Sequence, residues 1–359
     1  MNKNIIKKVL LVLIIVFSIF AFGCTKEQEK ELLKFDIHTD VQNNYLNNTR
    51  DTASLYAKGQ EELSYPEPIH LSWDGESKDY KVLLSFNSDY SDSIVYYTDT
   101  NKISIYNLYI KKVYYYQVLD DDDKEVDYGK FVIDCNGPRN VYIDGVTNSR
   151  DIGGWLCNDG LVIKQGLVYR TSKFNEDEST NLVINDVGIN TLVKVFKVKT
   201  EIDLRTVDDN ENGGITESVL GNNVKYYSIP MVSNGNILLL NKAKVKDLFA
   251  ILGDDSNYPL VFHCSIGTDR TGFVAFLMLG LLDCEEDSIY RDYAFSNFGL
   301  IYRLRLTTVL DNYISTLKLN YSGETLKELI ENYLLDCGVE KSDIDNFINL
   351  MKEEYTPYE

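Results

Sequence analysis

A chain of 359 residues with 44% apolar content is long enough for two folded domains, each able to bury a core. Its 36 basic and 55 acidic side chains give a formal charge of −19, which argues against nucleic acid and anionic membrane surfaces as partners. Any anion-binding pocket on such a chain must be locally positive against an unfavourable global field, and its association with highly charged anions should be modest in rate.

Residues 1–23 have the form of a targeting segment. Lys3, Lys7 and Lys8 make a basic start, and the apolar run Val9–Phe22 is broken only by Ser18. A run of 14 residues is short of the roughly 20 a bilayer span needs. Ala21-Phe22-Gly23 places small residues before Cys24, which resembles a bacterial lipobox. The resemblance implies cleavage before Cys24, lipidation of its thiol, and a cell-membrane location on the extracytoplasmic side. A plain secretory leader or an uncleaved anchor would put the remainder on that same side.

Residues 24–62 are rich in Glu, Lys, Asn, Asp and Thr with little periodicity, and read as a tether carrying a short helix at Glu29–Phe35. His38 and His70 have no partner nearby in sequence and receive no role. Over 63–137 the pattern changes to short β-forming runs: Ile69–Trp73, Tyr80–Phe86, Ser93–Thr98, Lys102–Tyr106, Val113–Val118 and Gly129–Ile133. Their spacing suits a small all-β sandwich. Trp73 in an early strand and Tyr114-Tyr115-Tyr116 in a late one resemble a fibronectin type III module. The tyrosines offer either a ligand-binding face or aromatic pairs that stiffen a half-buried sheet, the second being favoured. Asp120–Asp123 reads as a solvated hairpin tip in preference to a calcium site.

Asn136-Gly137-Pro138-Arg139 is turn chemistry and marks a boundary. From 138 to 359, strand-like and helical runs alternate, predicting an α/β domain with a central, mostly parallel sheet of four or five strands flanked by helices. Strands are expected at Tyr142-Ile143, Leu167–Tyr169, Thr200–Leu204 and Val224–Ile229, with helices at Asn190–Lys197 and Asn241–Leu252. A helical tail follows over Glu285–Asn297, Tyr302–Leu317, Glu324–Asp336 and Lys341–Glu353.

The most informative stretch is His263-Cys264-Ser265-Ile266-Gly267-Thr268-Asp269-Arg270-Thr271-Gly272, set between the apolar runs Pro259–Phe262 and Phe273–Leu282. The first run has the length of a buried strand and the second that of a buried helix. A loop closing onto a helix N-terminus turns its N–H groups inward, and the helix dipole adds partial positive charge. An oxyanion fits that cup, Arg270 can grip two of its oxygens, and the same field favours a nucleophilic thiolate at Cys264. Gly267 permits the tight turn, and the Thr271 hydroxyl is able to hydrogen-bond the thiolate. Beyond Cys24 the cysteines number five (Cys135, Cys157, Cys264, Cys284, Cys337), and an odd count leaves a free thiol. His263 and Cys264 are unsuited to a shared metal, because adjacent strand residues point to opposite faces.

The decapeptide resembles the signature of cysteine-dependent phosphatases. Asn148-Ser149-Arg150-Asp151-Ile152-Gly153-Gly154, Val168-Tyr169-Arg170-Thr171-Ser172 and Ile202-Asp203-Leu204-Arg205 resemble further motifs of the bacterial tyrosine-phosphatase-3 type, a branch with tyrosine- and lipid-phosphatase members. The likeness runs from about 140 to about 320. Members often carry lysine where this chain has Thr268, and its absence weakens a phosphoinositide reading. The resemblance implies Cys264 as nucleophile, with Ser265, Ile266, Gly267, Thr268 and Arg270 holding the phosphate. Two aspartates compete as proton donor: Asp269, favoured by the family's Asp-Arg pair, and Asp203, at a strand end facing the crevice. His263, Arg150, Asp151 and Arg205 would brace the site. The chemistry requires neither metal nor organic cofactor. The expected function is an extracytoplasmic phosphomonoesterase acting on a phosphotyrosine protein, a phospholipid head group or an inositol phosphate. The alternative is a surface-binding lipoprotein whose phosphatase domain only holds ligand.

Overall fold

A computed structural model of the chain describes residues 30–174, 183–206 and 215–358. The leader and Cys24 lie outside the described residues. Among the described residues, no helix is long and apolar enough to cross a membrane.

Residues 30–62 correct the expected tether. Leu32–Phe35 is a strand, β1, and not a helix; it pairs in parallel with the end of β7 (Glu125–Ile133), Phe35 lying opposite Ile133. Helix α1 (Asp40–Leu46) follows, its first turn closed by a capping box between Thr39 and Gln42. Tyr45, Leu46, Ala53 and Ala57 share a core with Phe295 and Phe298 near the other end of the chain. Spaced too widely to show a helical period, these residues find their burial only through distant partners.

Strands β2 (Ile69–Ser72), β3 (Tyr80–Ser85), β4 (Ile94–Thr98), β5 (Lys102–Ile105) and β6 (Val113–Leu119) form close to the expected runs. One sheet has the order β1-β7-β6-β3-β4, and β2 pairs with β5 in a second. Ile69, Leu71, Trp73, Tyr80, Val82, Leu84, Ile105, Val118 and Phe131 pool into one core. Along β6, Tyr114, Tyr116 and Val118 face inward, as period-two alternation requires. Tyr114 stacks on Phe131 at 5.2 Å, so the inward-facing tyrosines Tyr114 and Tyr116 stiffen the sheet. Asp120 closes the acidic tip by accepting from the backbone N–H groups of Asp122 and Lys124.

The following domain is built on a sheet of order β12-β11-β13-β10-β8. Its strands are β8 (Arg150–Asp151), β10 (Val168–Thr171), β11 (Thr200–Asp203), β12 (Lys225–Ser228) and β13 (Leu260–His263), while β9 (Leu161–Ile163) lies apart from it. The three contacts among β12, β11, β13 and β10 are parallel, and β8 joins antiparallel. Tyr142-Ile143 forms no strand: Ile143 bridges to Val146 across a turn at Gly145, whose φ is +79°. The helices are α2 (Asp186–Asn190, continuing into a π turn over Thr191–Val195), α3 (Lys242–Leu252), α4 (Asp269–Leu281), α5 (Glu286–Phe295), α6 (Thr308–Asn320), α7 (Leu326–Asp336) and α8 (Lys341–Met351). Helix α6 starts at Thr308 and not near Tyr302, which leaves Arg303 and Arg305 on a loop. The expected helix Lys341–Glu353 stops at Met351, and Lys352–Glu354 is instead strand β14, paired with β9. Helix α4 is buried from Arg270 to Leu281. Burying one Leu or Phe side chain is worth about 1.5–3 kcal/mol, so its position is firmly set.

Candidate active site

The parallel strands β10, β11 and β13 end on one edge, where open α/β sheets present their ligand crevice. The chain leaves β13 at His263, passes Cys264, turns at Gly267 with φ +71° and enters α4 at Asp269. A Cβ on Gly267 would fall 2.6 Å from the Thr171 carbonyl oxygen, so glycine meets both the left-handed turn and the close approach.

Three successive loop carbonyls are held from outside. The Lys173 N–H donates to Ser265 O at 3.1 Å, Asn148 Nδ2 donates to Ile266 O at 3.0 Å and Gly267 O at 3.1 Å, and Arg170 Nη2 donates to Gly267 O at 2.9 Å. In a trans planar peptide the N–H points opposite the carbonyl of the preceding residue. The N–H groups of Ile266, Gly267 and Thr268 therefore face away from those braces, onto the loop's concave side. Successive inward N–H groups at the start of a thirteen-residue helix make an anion nest.

Cys264 opens this loop and is only 2% exposed. Arg270 donates through Nη2 to Ser265 Oγ at 3.2 Å. Arg170 and Arg305 lie close enough for a charge on the Cys264 sulfur to act on both. Thr271 Oγ1 is buried and makes no hydrogen bond among the described residues, so the expected bond to Cys264 is not formed. Elsewhere, burial pushes the thiols of Cys157 and Cys337 up to about 11 and that of Cys284 well above its ordinary value. All five described cysteines are free.

Behind the loop sits a buried cluster of charge. Arg150 donates through Nε to Asp292 Oδ1 at 2.8 Å and through Nη1 to Asn148 Oδ1 at 2.6 Å. Arg170 is ion-paired with the other Asp292 oxygen. Burial and then the neighbouring Arg150 push the Arg170 guanidinium down to about 10, against the pull of Asp292, so it remains a cation at neutral pH. Arg150 thus braces the loop through Asn148. Asp151 does not: it pairs with Arg139 at 2.6 Å and accepts from the N–H groups of Gly153 and Gly166. Arg139 also donates to the carbonyls of Asn107 and Leu108, so the expected brace is instead a tie to the all-β part.

The two aspartates proposed as donor differ sharply. Asp203 is buried; its carboxylate accepts from Arg205 Nη2 at 2.6 Å and from the Tyr226 hydroxyl at 2.9 Å, with His263 Nδ1 at 3.9 Å. Burial alone would raise it, but the charge of His263 and the hydrogen bonds from Arg205 outweigh burial and hold its carboxyl below the usual range. It is an ionised network member, and Arg205 serves that network. Asp269 sits at the mouth with 35% of its side chain exposed, and both its oxygens receive Arg305, at 2.7 and 2.8 Å. His263 is turned towards Glu201, Nε2 to Oε1 at 3.0 Å, which fixes the strand end from which Cys264 departs.

Residues 141–357 match the sequence profile of the tyrosine phosphatase family, more than half of the chain. The chain belongs to the tyrosine phosphatase family. This is a family of phosphoric monoester hydrolases. A Cupriavidus necator protein that carries a provisional tyrosine-protein phosphatase name is 23% identical over 186 residues, covering 45% of this chain and 64% of its own length. The chain thus spans less than two thirds of that relative. Two solved structures of the Siw14 catalytic core also align, one described as that of a PP-IP phosphatase from S. cerevisiae in complex with citrate. They are 18% and 14% identical, with TM-scores of 0.29 and 0.30, and are covered over 91% and 94% of their lengths and 47% and 51% of this one.

Within this tyrosine phosphatase domain several site residues escape a reading of the sequence. Asn148 and Arg170 stand in the quoted motifs, but nothing in a linear motif says that they grip loop carbonyls. Asp292 is the one acid among the buried residues of α5, and an acid on a buried helix face is the signal that could have marked it. Arg305 gives no such signal. It lies 36 residues from Asp269, on a loop that the sequence pattern reads as helix.

Proposed function

We propose that this chain hydrolyses phosphomonoesters as a protein-tyrosine-phosphatase-like enzyme, through a cysteinyl-phosphate intermediate on Cys264. The observation that carries this reading is the loop whose three carbonyls are held outward beside a buried cysteine. The equatorial phosphate oxygens take the N–H groups of Ile266, Gly267 and Thr268 and the fork of Arg270. The Cys264 sulfur attacks phosphorus as the bond to the leaving oxygen breaks, and that oxygen takes a proton. Water then attacks the thiophosphate, releasing inorganic phosphate and the thiol group. Asp269, at the rim, supplies the proton once substrate draws Arg305 from it. The buried Asp203, committed to Arg205 and Tyr226, holds the strand end.

The substrate is a phosphorylated one, a phosphotyrosine protein or a small phosphomonoester, and Thr268 in place of lysine favours fewer phosphates over many. The all-β part is a fibronectin type III-like module. The mature protein begins at a lipidated Cys24 and faces the extracytoplasmic side, which mass spectrometry of the membrane fraction tests directly. The mechanism is tested by phosphate release from phosphotyrosine peptides, phosphoinositides and inositol phosphates. Cys264→Ser should abolish release from all of them and still bind a phosphate analogue. Appreciable turnover by that variant would overturn the thiolate mechanism.

A further inference from the structure

Outside the phosphate cup, three side chains of different chemistry meet where β1 turns towards α1 and β7 ends. A carboxylate oxygen of Asp36, a ring nitrogen of His38 and the sulfur of Cys135 all lie within 4.8 Å of one another. The β1–β7 pairing brings them together: Phe35 lies opposite Ile133, so Asp36 and His38 leave one strand end as Cys135 leaves the other. The His38 side chain is fully buried and Cys135 is 3% exposed, while Asp36 keeps 36% of its side chain open to solvent. Asp36 is two residues from His38, but Cys135 stands about a hundred residues away, so sequence spacing does not show the cluster.

The orientation of the imidazole is informative. His38 Nε2 lies 3.0 Å from the Pro138 carbonyl oxygen, which only accepts, so Nε2 carries a proton and donates it there. Nδ1 is then the nitrogen that addresses the cluster, 3.1 Å from Asp36 Oδ1; a carboxylate also only accepts, so in the absence of a cation Nδ1 donates a proton there. A ring nitrogen turned to a carboxylate and a thiol, with the other tied to a backbone carbonyl, is how metal-binding histidines are held. The backbone closes over the ring as well: a Cβ on Gly137 would fall 2.9 Å from His38 Cε1.

We propose that Asp36, His38 and Cys135 bind a divalent transition cation of the Zn2+ type, with water as the fourth ligand. A thiolate, an imidazole and a carboxylate are the donors Zn2+ takes, whereas Ca2+ and Mg2+ demand oxygen. Bonds of roughly 2.0–2.3 Å require the donors to close in from their present separations, and the half-open Asp36 has room to move. On binding, the Cys135 thiol and His38 Nδ1 each give a proton to water, and the thiolate and the freed ring nitrogen coordinate. The ion would clamp the β1 end to the β7 end, just before the junction at Asn136–Arg139. It has no part in the phosphate chemistry, so its test is independent of that reading.

Co2+ serves as the probe. Chelator-stripped full chain should bind one equivalent with the near-ultraviolet thiolate-to-cobalt charge-transfer band, and added Zn2+ should displace it. The band should vanish in Cys135→Ser and survive in Cys264→Ser, and Asp36→Asn should weaken binding at least tenfold. Zn2+ should raise the Tm of the wild-type chain and leave that of Cys135→Ser unmoved. Absence of the band in the wild type, its persistence in Cys135→Ser or its loss in Cys264→Ser would overturn the site. If Cys135→Ser fails to fold by circular dichroism, the Asp36→Asn titration decides, and an unchanged Kd there overturns the assignment.

Discussion

At the residue scale, Asp292 shows how a side chain that never meets substrate sets the site. It lies between Arg150 and Arg170, and through them holds Asn148 and the Gly267 carbonyl in place. Removing one partner from a buried ion pair costs about 3–5 kcal/mol, because the remaining charge stays buried. Asp292→Asn should therefore lose about that much stability in urea unfolding at pH 7. Burial alone would raise the Asp292 carboxyl, but the charges of Arg150 and Arg170 outweigh it and hold it below the usual range. Its stabilising contribution is then complete above an unfolded pKa of about 3.9 and is lost as pH falls through the lower folded value. The gap between wild type and Asp292→Asn should be constant from about pH 7 to about pH 5 and should narrow below about pH 4.

The proton donor belongs to the same scale. Asp269→Asn should slow turnover of alkyl phosphates strongly and that of an activated aryl phosphate little, since the latter's leaving group departs without a proton. Asp203→Asn, in a network of Arg205, Tyr226 and His263, should lower stability and slow both substrates alike. Equal losses on both substrates for Asp269→Asn would remove it as the acid. Arg270→Lys should be severe on every substrate, because a point charge lacks the planar fork.

At the element scale, the loop between β13 and α4 works because its strand and helix are immobilised by burial on all sides. Its one backbone demand is Gly267. An alanine there would hold a left-handed conformation at a cost of about 1–3 kcal/mol and would press on the Thr171 carbonyl 2.6 Å away. Gly267→Ala should lose most of its kcat and its affinity for vanadate while keeping wild-type far-ultraviolet circular dichroism. Full activity in that variant would mean that the loop shape is not what makes the cup.

At the scale of the whole molecule, the N-terminal segment is part of the phosphatase fold. The Glu62 carboxylate accepts from the Leu300 N–H at 3.0 Å, and Ser64 Oγ accepts from the N–H of Asn148, the residue that grips the cup. Tyr45, Leu46, Ala53 and Ala57 cover Phe295 and Phe298. A chain starting at Pro138 would expose those rings and free Asn148, and should be insoluble or melt well below the chain that starts at residue 30. Differential scanning fluorimetry of the two settles the point. Equal Tm values would show residues 30–62 to be an appendage after all.

The sequence by itself determined what local chemistry determines. The strand-loop-helix at Cys264 was legible because a buried strand, a tight turn at a glycine and a buried helix each have a short-range signal. The strands of the all-β part were legible through alternation, and the α/β sheet through the sequence of apolar runs. Tertiary structure alone decided which charges meet. Asp151 went to Arg139 and Asp292 to Arg150 and Arg170, while Arg305 met Asp269 from a loop whose sequence pattern reads as helix. It also decided that β1 adds to β7 and that Asp36, His38 and Cys135 share one corner. The reason is physical: periodicity reports which face of an element is buried, but not which partner buries it. An ion pair or a parallel strand contact joins residues far apart in the chain, and its register exists only once both elements are packed.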